Sequence, residues 1–397
     1  MKILVVCQYY YPEPFRITDI CEALVQAGHS VTVVTGTPNY PEGEIYPGYE
    51  KGAHADEVRN GVQIHRCPLI PRKTGALYRF LNYYSFVWSS WQYLRKLGEE
   101  YDVVFVNQLS PVMMAQSALK WARRHGKRCV LYCLDLWPES LLVGGIRKDS
   151  MIYRVFWNIS RRIYQKADTI LVSSKAFTDY FEETLHIEDK NIQWLPQYAE
   201  DMFGDVAAEQ QGKATVDFLL AGNIGNLQSV ETVVEAARLL QDDSRIHIHI
   251  VGGGISLEKC QKLAEGLENI TFHGRHDLSE MPAFYAMADV MMVSLVKDPG
   301  LSANLPGKVQ SYMAAGKPIV GTINGETARI IREADCGMCS PAEDPAALAE
   351  VMRKIAAEPE KLKLYGENAR RFYMEHFQKE HFIAELTKVL RENRTDK

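Results

Sequence analysis

The sequence predicts an α/β protein made of two doubly wound domains that face each other across a cleft. Three observations lead to this fold class. The length of 397 residues exceeds what one hydrophobic core usually serves. Short apolar runs typical of buried parallel strands alternate with helical patterns from the first residues onward. A polar stretch punctuated by glycine, near residues 197–213, interrupts this alternation, which then begins again.

The first half opens with a strand, a loop and a helix. Lys2–Val6 is the strand, Gln8–Arg16 is the loop, and the helix over Ile17–Ala27 ends at Gly28. The alternation then continues through predicted strands at Ser30–Thr35, Asp102–Asn107, Arg128–Leu134 and Thr169–Ser173, and helices at Met113–His125 and Met151–Ala167.

A second series with the same alternation follows the polar stretch. Its predicted strands are Asp217–Ala221, Ile246–Val251, Ile270–His273 and Val290–Leu295, and its helices are Val230–Leu240, Leu257–Leu267, Met281–Met287 and Asp344–Ala357. Long amphipathic helices over Leu362–Arg391 end the chain. Ligands of doubly wound domains bind at the carboxyl ends of the strands, so we expect the site in the cleft between the domains.

Composition favours a globular protein of the cytoplasm. The hydrophobic fraction is 46% and the charged fraction 24%. The N-terminal segment MKILVVCQYY lacks the features of a signal peptide, and no apolar run approaches the roughly 18 residues of a spanning helix. The eight cysteines are expected to be reduced thiols. Cys336 and Cys339 form a lone CxxC, which we interpret as structural because zinc would need further ligands.

Turn-forming residues follow the first strand of each half. They are Tyr11–Arg16 in the first half and Gly222–Gln228 in the second, where Gly252–Gly254 also follows the next strand. Backbone N–H groups in such loops suit a phosphate. Each loop taken alone is more often an ordinary turn, and the recurrence of such loops after strands favours the phosphate interpretation. The sequence contains no G-x-G-x-x-G, Walker A or Asp-x-Asp motif. We therefore predict a diphosphate site without metal, neutralised by N–H groups, helix dipoles and Lys or Arg.

The stretch Pro299–Gly321 is the strongest single candidate for such a site. It reads as a loop of turn formers, a helix from Val309 to Ala315 and a buried strand. Lys308 at the loop–helix junction adds a point charge beside the positive end of the helix dipole. The alternative interpretation is an ordinary turn between a strand and a helix.

Seven segments together resemble one known family. They are YYYPEPFR, GHSVTVVTGTPNYPEG, LDLWPES, AGNIGNLQ, IVGGG, MPAFYAMADV and LPGKVQSYMAAGKPIVG. With them the chain resembles family 4 of the GT-B glycosyltransferases, in the branch of WbuB-like and colanic-acid-type enzymes. The resemblance implies two Rossmann-like domains: an acceptor-binding domain at 1–198 and a nucleotide-sugar-binding domain at 199–370. A C-terminal helix at 371–397 is expected to pack back toward the first. The resemblance also implies retaining transfer without metal or cofactor.

The resemblance suggests a set of donor-binding residues but departs from the family in one loop. Many members carry an Arg and a Lys after the first strand of the second domain, where this chain has Asn223 and Gln228. We propose that Lys308 and Arg16 substitute for them. The full predicted donor set is Phe15, Arg16, Gly222, Asn223, Gly225, Asn226, Gln228, Gly253, Arg275, Met281, Ser302, Asn304, Leu305, Lys308 and Ser311.

The Glu-x7-Glu motif of the family is also absent. Alignment on the MAAG helix puts Ala303 and Ser311 at its two positions. Since neither residue is acidic, Ser311 is expected to supply at most a weak contact to ribose or to the donor sugar.

Asp135 is the first candidate for a catalytic residue, and Glu139 is the second. Many family members place a His at the end of the strand that corresponds to Val130–Leu134, and Asp135 aligns with it. Its carboxylate would accept the proton of the acceptor hydroxyl or stabilise positive charge on the sugar ring. The alternative role is to cap the following turn. The sequence leaves open whether retention proceeds by front-face attack, which the resemblance favours, or through a covalent intermediate.

A basic, aromatic segment marks the acceptor side. Residues 58–98 contain seven Lys or Arg and no Asp or Glu, together with eight aromatic residues between Tyr78 and Tyr93. The helix Tyr153–Lys166 adds further cations beside Phe156 and Trp157. Such segments suit the surface of an anionic membrane, and related enzymes use polyprenyl-diphosphate carriers. The alternative is a buried aromatic helix with a solvated basic edge. Nucleic acid is not expected, because the net charge is −5 and no binding motif is present.

These inferences lead to one predicted function and two alternatives. We expect a glycosyltransferase that moves an N-acetylated hexosamine or deoxyhexosamine from a UDP-sugar to a lipid-linked saccharide in bacterial envelope polysaccharide synthesis. We expect it in the cytoplasm, in peripheral contact with the inner membrane. The alternatives are a non-catalytic subunit of the same fold, and an epimerase or hydrolase that acts on nucleotide sugars without an acceptor.

Overall fold

The computed structural model describes residues 1–73, 75–188, 190–206 and 215–392. The chain divides into two compact units. One comprises Met1–Leu195 and the residues from Ile383 onward, and the other is Pro196–Phe382. The sequence analysis placed the domain boundaries after residues 198 and 370. In the structure the second unit extends from Pro196 to Phe382, so it includes residues 371–382.

The first unit is an α/β domain whose described residues include a sheet of eight strands. Their spatial order is β3-β4-β2-β1-β5-β6-β7-β8. The central strands are buried along almost their whole length, as expected of parallel strands covered on both faces. The strands are β1 Lys2–Val6, β2 Ser30–Gly36, β3 Asp56–Arg59, β4 Val62–Cys67, β5 Val103–Gln108, β6 Arg128–Cys133, β7 Thr169–Val172 and β8 Asn191–Trp194. The helices are α1 Ile17–Gln26, α2 Ala76–Leu94, α3 Gln116–Arg124, α4 Ser140–Val143, α5 Met151–Tyr164 and α6 Ala176–Asp179.

Strands β3 and β4 were not predicted. They pair antiparallel at the edge of the sheet. Asn60 and Gly61 connect them, both with positive φ, at 46° and 82°. This is the conformation that a two-residue hairpin turn requires, and Asn-Gly is the pair that adopts it most readily.

The second unit contains a six-stranded parallel sheet among the described residues, in the order β11-β10-β9-β12-β13-β14. Its strands are β9 Val216–Ala221, β10 Ile246–Val251, β11 Ile270–Gly274, β12 Val290–Ser294, β13 Ile319–Thr322 and β14 Gly337–Ser340. Its helices are α7 Val230–Leu239, α8 Leu257–Leu263, α9 Met281–Met287, α10 Pro299–Ser302, α11 Gly307–Ala314, α12 Glu326–Glu333, α13 Pro345–Ala357 and α14 Glu360–His376. A last helix, α15 Lys379–Arg391, crosses the boundary between the units.

The stretch from Pro299 to Gly321 differs from its prediction in one respect. Its first four residues form a helical turn, α10, because the Asp298 carboxylate accepts the N–H of Leu301 at 2.9 Å. The helix and strand predicted after it are confirmed as α11 and β13. Gly316 has φ of +63°, which confirms its role after the end of the helix.

Two segments near the unit boundaries are held by specific contacts. Within the predicted linker, Phe203 is buried and stacks on Tyr285 with ring centroids 4.7 Å apart, whereas 207–214 lie outside the described residues. Arg128 of β6 donates to the carbonyl of Val389 and, at 2.8 Å, to the carboxylate of Glu392. The end of α15 is thus bound to the first unit.

Candidate active site

Lys308 lies beside the loop that follows the first strand of the second unit. Strand β9 ends at Ala221, and a Cβ built on Gly222 would lie 3.0 Å from Nζ of Lys308. Burial lowers the pKa of Lys308 to about 8. Among the described residues, no carboxylate lies within ion-pair distance of this ammonium group. A cation that is desolvated and lacks a counterion is suited to bind an anionic ligand.

Three loops of this unit meet at the same edge of the sheet. A Cβ on Gly252, after β10, would lie 1.8 Å from the carbonyl oxygen of Gly222, so only glycine permits this approach. The N–H of Ile224 donates to the carbonyl of Gly253 at 2.9 Å. Gly253 also lies against the side chain of Arg275, the exposed residue that follows β11. The structure therefore brings Gly222, Gly253, Arg275 and Lys308 together.

The polar side chains of the first loop are already hydrogen-bonded within the unit. Gln228 Oε1 accepts from the N–H of Gly225 and from Asn223 Nδ2, both at 3.2 Å. Asn226 Oδ1 accepts from the hydroxyl of Ser256 at 3.0 Å. In this conformation the N–H of Gly225 is occupied, and a bound anion would have to displace Gln228 to reach it.

Four further predicted donor residues lie elsewhere in the same unit. Ser302 donates its hydroxyl to the carbonyl of Asp298 at 2.7 Å, and the carbonyl of Asn304 accepts from Thr327 at 3.3 Å. These polar groups stabilise the turn before α11. Leu305 on this turn and Met281 at the start of α9 are half-buried.

Ser311 is accompanied by a carboxylate that sequence analysis did not identify. Its hydroxyl lies 3.3 Å from the carbonyl of Gly307 and 3.5 Å from Oε2 of Glu200. Glu200 precedes β9 by 16 residues, and no motif in the sequence links it to α11. A carboxylate thus stands beside the residue that aligned with the missing Glu.

Asp135 follows β6 in the first unit and is held by a neighbouring loop. Its Oδ2 accepts the N–H of Ser110 at 2.9 Å. Burial raises the pKa of Asp135, whereas the bonds from Ser110 and the charge of Arg72 oppose this shift. This hydrogen bond joins the two loops that follow the adjacent strands β5 and β6.

Glu139 has a different environment. Its Oε1 accepts the hydroxyl of Tyr153 at 2.6 Å. Burial raises the pKa of Tyr153, and the Glu139 carboxylate raises it further. This contact ties the segment after β6 to helix α5, which favours a structural role.

Phe15 and Arg16 lie before helix α1 in the first unit. Phe15 stacks on Tyr9 with centroids 5.0 Å apart and also contacts Tyr40 at 5.2 Å. Burial raises the pKa of Tyr132, and the nearby charge of Arg16 opposes that shift. These two residues therefore lie on the first unit, whereas the other predicted donor residues lie on the second.

Neither a metal cluster nor a membrane-spanning helix is found in the described residues. No group of three or more His, Cys, Asp or Glu side chains there is placed to hold a metal ion. None of the helices in the described ranges is both long enough and apolar enough to cross a membrane. Cys336 and Cys339 are free thiols, and burial raises their pKa values to about 12 and about 11.

Comparison with known proteins identifies the class to which this fold and site belong. Residues 15–197 match the family described as "Glycosyl transferase 4-like domain", and residues 215–358 match "Glycosyl transferases group 1". The two matches together span most of the chain. The chain therefore belongs to family 4 of the glycosyltransferases, with the GT-B fold, and it is an enzyme of the transferase class.

Individual proteins agree with this assignment. The chain is 27% identical over 347 residues to the putative colanic acid biosynthesis glycosyl transferase WcaI of Escherichia coli K12, covering 82% of this chain and 84% of WcaI. Sucrose-phosphate synthase from Thermosynechococcus elongatus has a TM-score of 0.75 at 16% identity, covering 98% of each chain. Anabaena HepE, solved in complex with UDP, has a TM-score of 0.70 at 12% identity, covering 98% of this chain and 99% of HepE. The two structural matches show a shared fold.

Proposed function

We propose that this protein is a retaining, metal-independent glycosyltransferase of bacterial envelope polysaccharide synthesis. It takes an N-acetylated hexosamine or deoxyhexosamine from a UDP-sugar and transfers it to a membrane-linked saccharide. Membership in family 4 supports the reaction class. The similarity to WcaI, named for colanic acid biosynthesis, supports the acceptor class, and the UDP complex of HepE supports the donor.

The observation that carries the donor proposal is the placement of Lys308. Its ammonium group lies beside Gly222, where β9 ends, and next to the N-terminus of the eight-residue helix α11. A diphosphate here would accept a charge-assisted hydrogen bond from Lys308 and hydrogen bonds from the first N–H groups of the helix. Arg275 adds a second positive charge beside Gly253. This arrangement neutralises a diphosphate with protein groups alone.

Asp135 is proposed as the group that accepts the proton of the acceptor hydroxyl. The bond between the anomeric carbon and the diphosphate oxygen breaks, and a bond from that carbon to the acceptor oxygen forms. A carboxylate whose pKa is raised by burial is a stronger base than an exposed one. Its hydrogen bond to Ser110 fixes its orientation.

Two helices of the first unit support the proposed membrane contact. Helices α2 and α5 both contact the turn Val112–Ala115, and each exposes large apolar side chains. The exposed residues are Leu77, Tyr78, Phe80 and Trp88 on α2, and Met151, Ile152 and Val155 on α5. Arg79 on α2 and Arg154, Arg161 and Arg162 on α5 accompany these side chains, and we propose that the two helices contact the inner membrane peripherally on its cytoplasmic side.

A donor screen followed by a transfer assay tests the proposal. UDP-, GDP- and dTDP-sugars are compared by thermal shift, and the best donor is then incubated with a lipid-linked saccharide in the presence and absence of EDTA. We expect stabilisation by a UDP-sugar, EDTA-insensitive transfer, and a product whose anomeric configuration, read by NMR, matches the donor. Stabilisation by GDP-sugars alone would contradict the UDP-sugar donor. Loss of transfer with EDTA would contradict metal independence, and an inverted product would contradict the retaining reaction.

A further inference from the structure

Arg72 in the first unit is surrounded by aromatic rings. The side chain is half-buried, and its Cζ lies 5.8 Å from the ring centroid of Tyr40 and 6.0 Å from that of Tyr83. Both rings are within the range of a cation–π contact. Such contacts stabilise the guanidinium but leave its N–H groups able to donate to a ligand.

The hydroxyl of Tyr9 adds a buried polar group to this cluster. Tyr9 is only 3% exposed, and its hydroxyl interacts with the guanidinium of Arg72. Burial raises the pKa of Tyr9, and the charge of Arg72 opposes this shift, so the hydroxyl and the guanidinium are close neighbours. Because an arginine can only donate, the Tyr9 hydroxyl accepts from Arg72, and its own O–H remains able to donate to a ligand.

A buried polar network fixes the position of this cluster. The Glu13 carboxylate accepts the N–H groups of Asn39 and Tyr40, both at 2.8 Å, and that of Tyr10 at 3.2 Å. Asn39 Oδ1 in turn accepts the N–H of Arg72 at 2.9 Å. The loops after β1, β2 and β4 are thereby joined, and Arg72 is placed before any ligand arrives.

Among the residues that the structure describes, no acidic side chain forms an ion pair with Arg72. None of the ion pairs within 4 Å among the described residues involves it. The positive charge of Arg72 acts to lower the pKa of Asp135, but the Asp135 carboxylate accepts its hydrogen bond from the N–H of Ser110. The guanidinium therefore keeps its capacity to bind an anion, beside the proposed catalytic carboxylate.

We propose that Arg72 and the Tyr9 hydroxyl bind a diphosphate oxygen of the acceptor, and that the rings of Tyr40 and Phe15 contact the sugar attached to it. This proposal moves Phe15 from the predicted donor set to the acceptor. Both rings are partly exposed and meet at the cluster, with centroids 5.2 Å apart. The inference deepens the proposed function, on which it rests, by assigning an anionic subsite to the acceptor rather than to the donor.

Equilibrium binding without donor tests this subsite separately from catalysis. The probes are a short-chain prenyl-diphosphate monosaccharide, the same sugar on a neutral prenyl ether, and a glucuronide of that ether. R72Q should weaken binding of the diphosphate probe by roughly ten- to a hundredfold, because it removes a charged donor. Y9F should weaken it about three- to tenfold. The matched control K73Q removes the neighbouring, exposed cation and should change binding less than threefold.

The other outcomes decide the inference. R72Q should leave affinity for the neutral probe and for UDP unchanged. Three results with R72Q would each overturn the assignment. Affinity would fall equally for the diphosphate and the neutral probe, it would fall for the glucuronide instead of the diphosphate probe, or it would fall for UDP. If binding depends on Arg72 but no sugar is ever transferred, the proposed function fails and the subsite stands. If transfer occurs and diphosphate binding is independent of Arg72, the subsite fails alone.

Discussion

Nζ of Lys308 lies 3.0 Å from the position that a Cβ on Gly222 would occupy, although 86 residues separate the two along the chain. The ammonium group is thereby held at the end of strand β9, without a carboxylate in ion-pair range within the described residues. We therefore expect K308M to lower UDP affinity by roughly ten- to a hundredfold, measured by calorimetry. K297M, on an exposed lysine, is the matched control and should leave affinity unchanged. Unaltered UDP affinity in K308M would remove Lys308 from the diphosphate site.

The lowered pKa of Lys308 predicts how donor affinity depends on pH. With a pKa of about 8, the ammonium group loses its proton as the pH rises above 8. Phosphate groups are already fully ionised there, since their second pKa is near 6. UDP affinity should therefore fall by up to about tenfold per pH unit above 8 in the wild type. The same titration of K308M should be flat, and equal slopes for the two proteins would contradict the prediction.

The same lysine should reduce the stability of the free protein. Its pKa is about 8 when folded against an ordinary value of 10.5, so the unfolded chain binds more protons between these values. The penalty for burying the charge is complete below pH 8 and fades as the pH rises toward 10.5. At pH 7 K308M, which keeps an apolar stem, should melt a few degrees higher than the wild type in thermal denaturation. A lower melting temperature at every pH would show that the ammonium group is stabilised in the fold.

Asp135 and Glu139 differ in their expected effects on catalysis. D135N keeps an oxygen that can accept from Ser110 but removes the base, so kcat should fall by about 10²- to 10⁴-fold with UDP affinity nearly unchanged. E139Q removes a charge that accepts from Tyr153 and should mainly lower stability. Steady-state kinetics combined with calorimetry separate these effects. Near-normal turnover in D135N would leave Asp135 with a structural role.

The sequence allowed most of the fold to be predicted but only part of the site. Apolar runs such as Lys2–Val6 identify buried parallel strands, because both faces of the sheet are covered. Strand β3 escaped prediction because its edge position leaves polar residues exposed, and β14 is only four residues long. Helix α12 also escaped, since it is polar on its outer face.

The residues of the candidate site were likewise only partly predictable from the sequence. Lys308 was predictable because a local motif, a loop followed by a helix N-terminus, marks its position. Arg72 and Glu200 were not, because each acquires its neighbours only through the fold. Tyr9 and Tyr40 meet around Arg72 from two loops and Tyr83 from helix α2, and no spacing in the sequence relates them.

Exposed apolar side chains on α2 should govern membrane binding. Leu77 is 67% exposed and Phe80 is 48% exposed on helix α2 of the first unit. L77S/F80S should reduce flotation with vesicles of anionic phospholipid, because burial of both side chains contributes to binding. The matched control is I255S, at an exposed isoleucine of the second unit, which should float like the wild type. The proposed contact would be contradicted if the wild type, L77S/F80S and I255S floated equally. It would also be contradicted if the wild type did not float with the vesicles at low salt.

A histidine cluster on the second sheet should make the protein sensitive to acid. His247 and His273 lie on β10 and β11, and burial lowers the pKa of each below 6.5, assisted by neighbouring histidines. His249 lies between them, 3.0 Å from His273 and 3.4 Å from the carboxylate of Asp217.

Because these pKa values are lower in the folded state, the unfolded chain takes up protons first as the pH falls below 6.5. Stability should therefore be unaffected above that pH and decrease below it. H247Q/H273Q, in which each amide replaces a ring nitrogen, should lose part of the difference in melting temperature between pH 7.5 and pH 5.5. H381Q, at an exposed histidine, should keep the full difference. If the double variant and the wild type lose stability equally in acid, the histidine cluster is not the cause and the buried carboxylates must be tested instead.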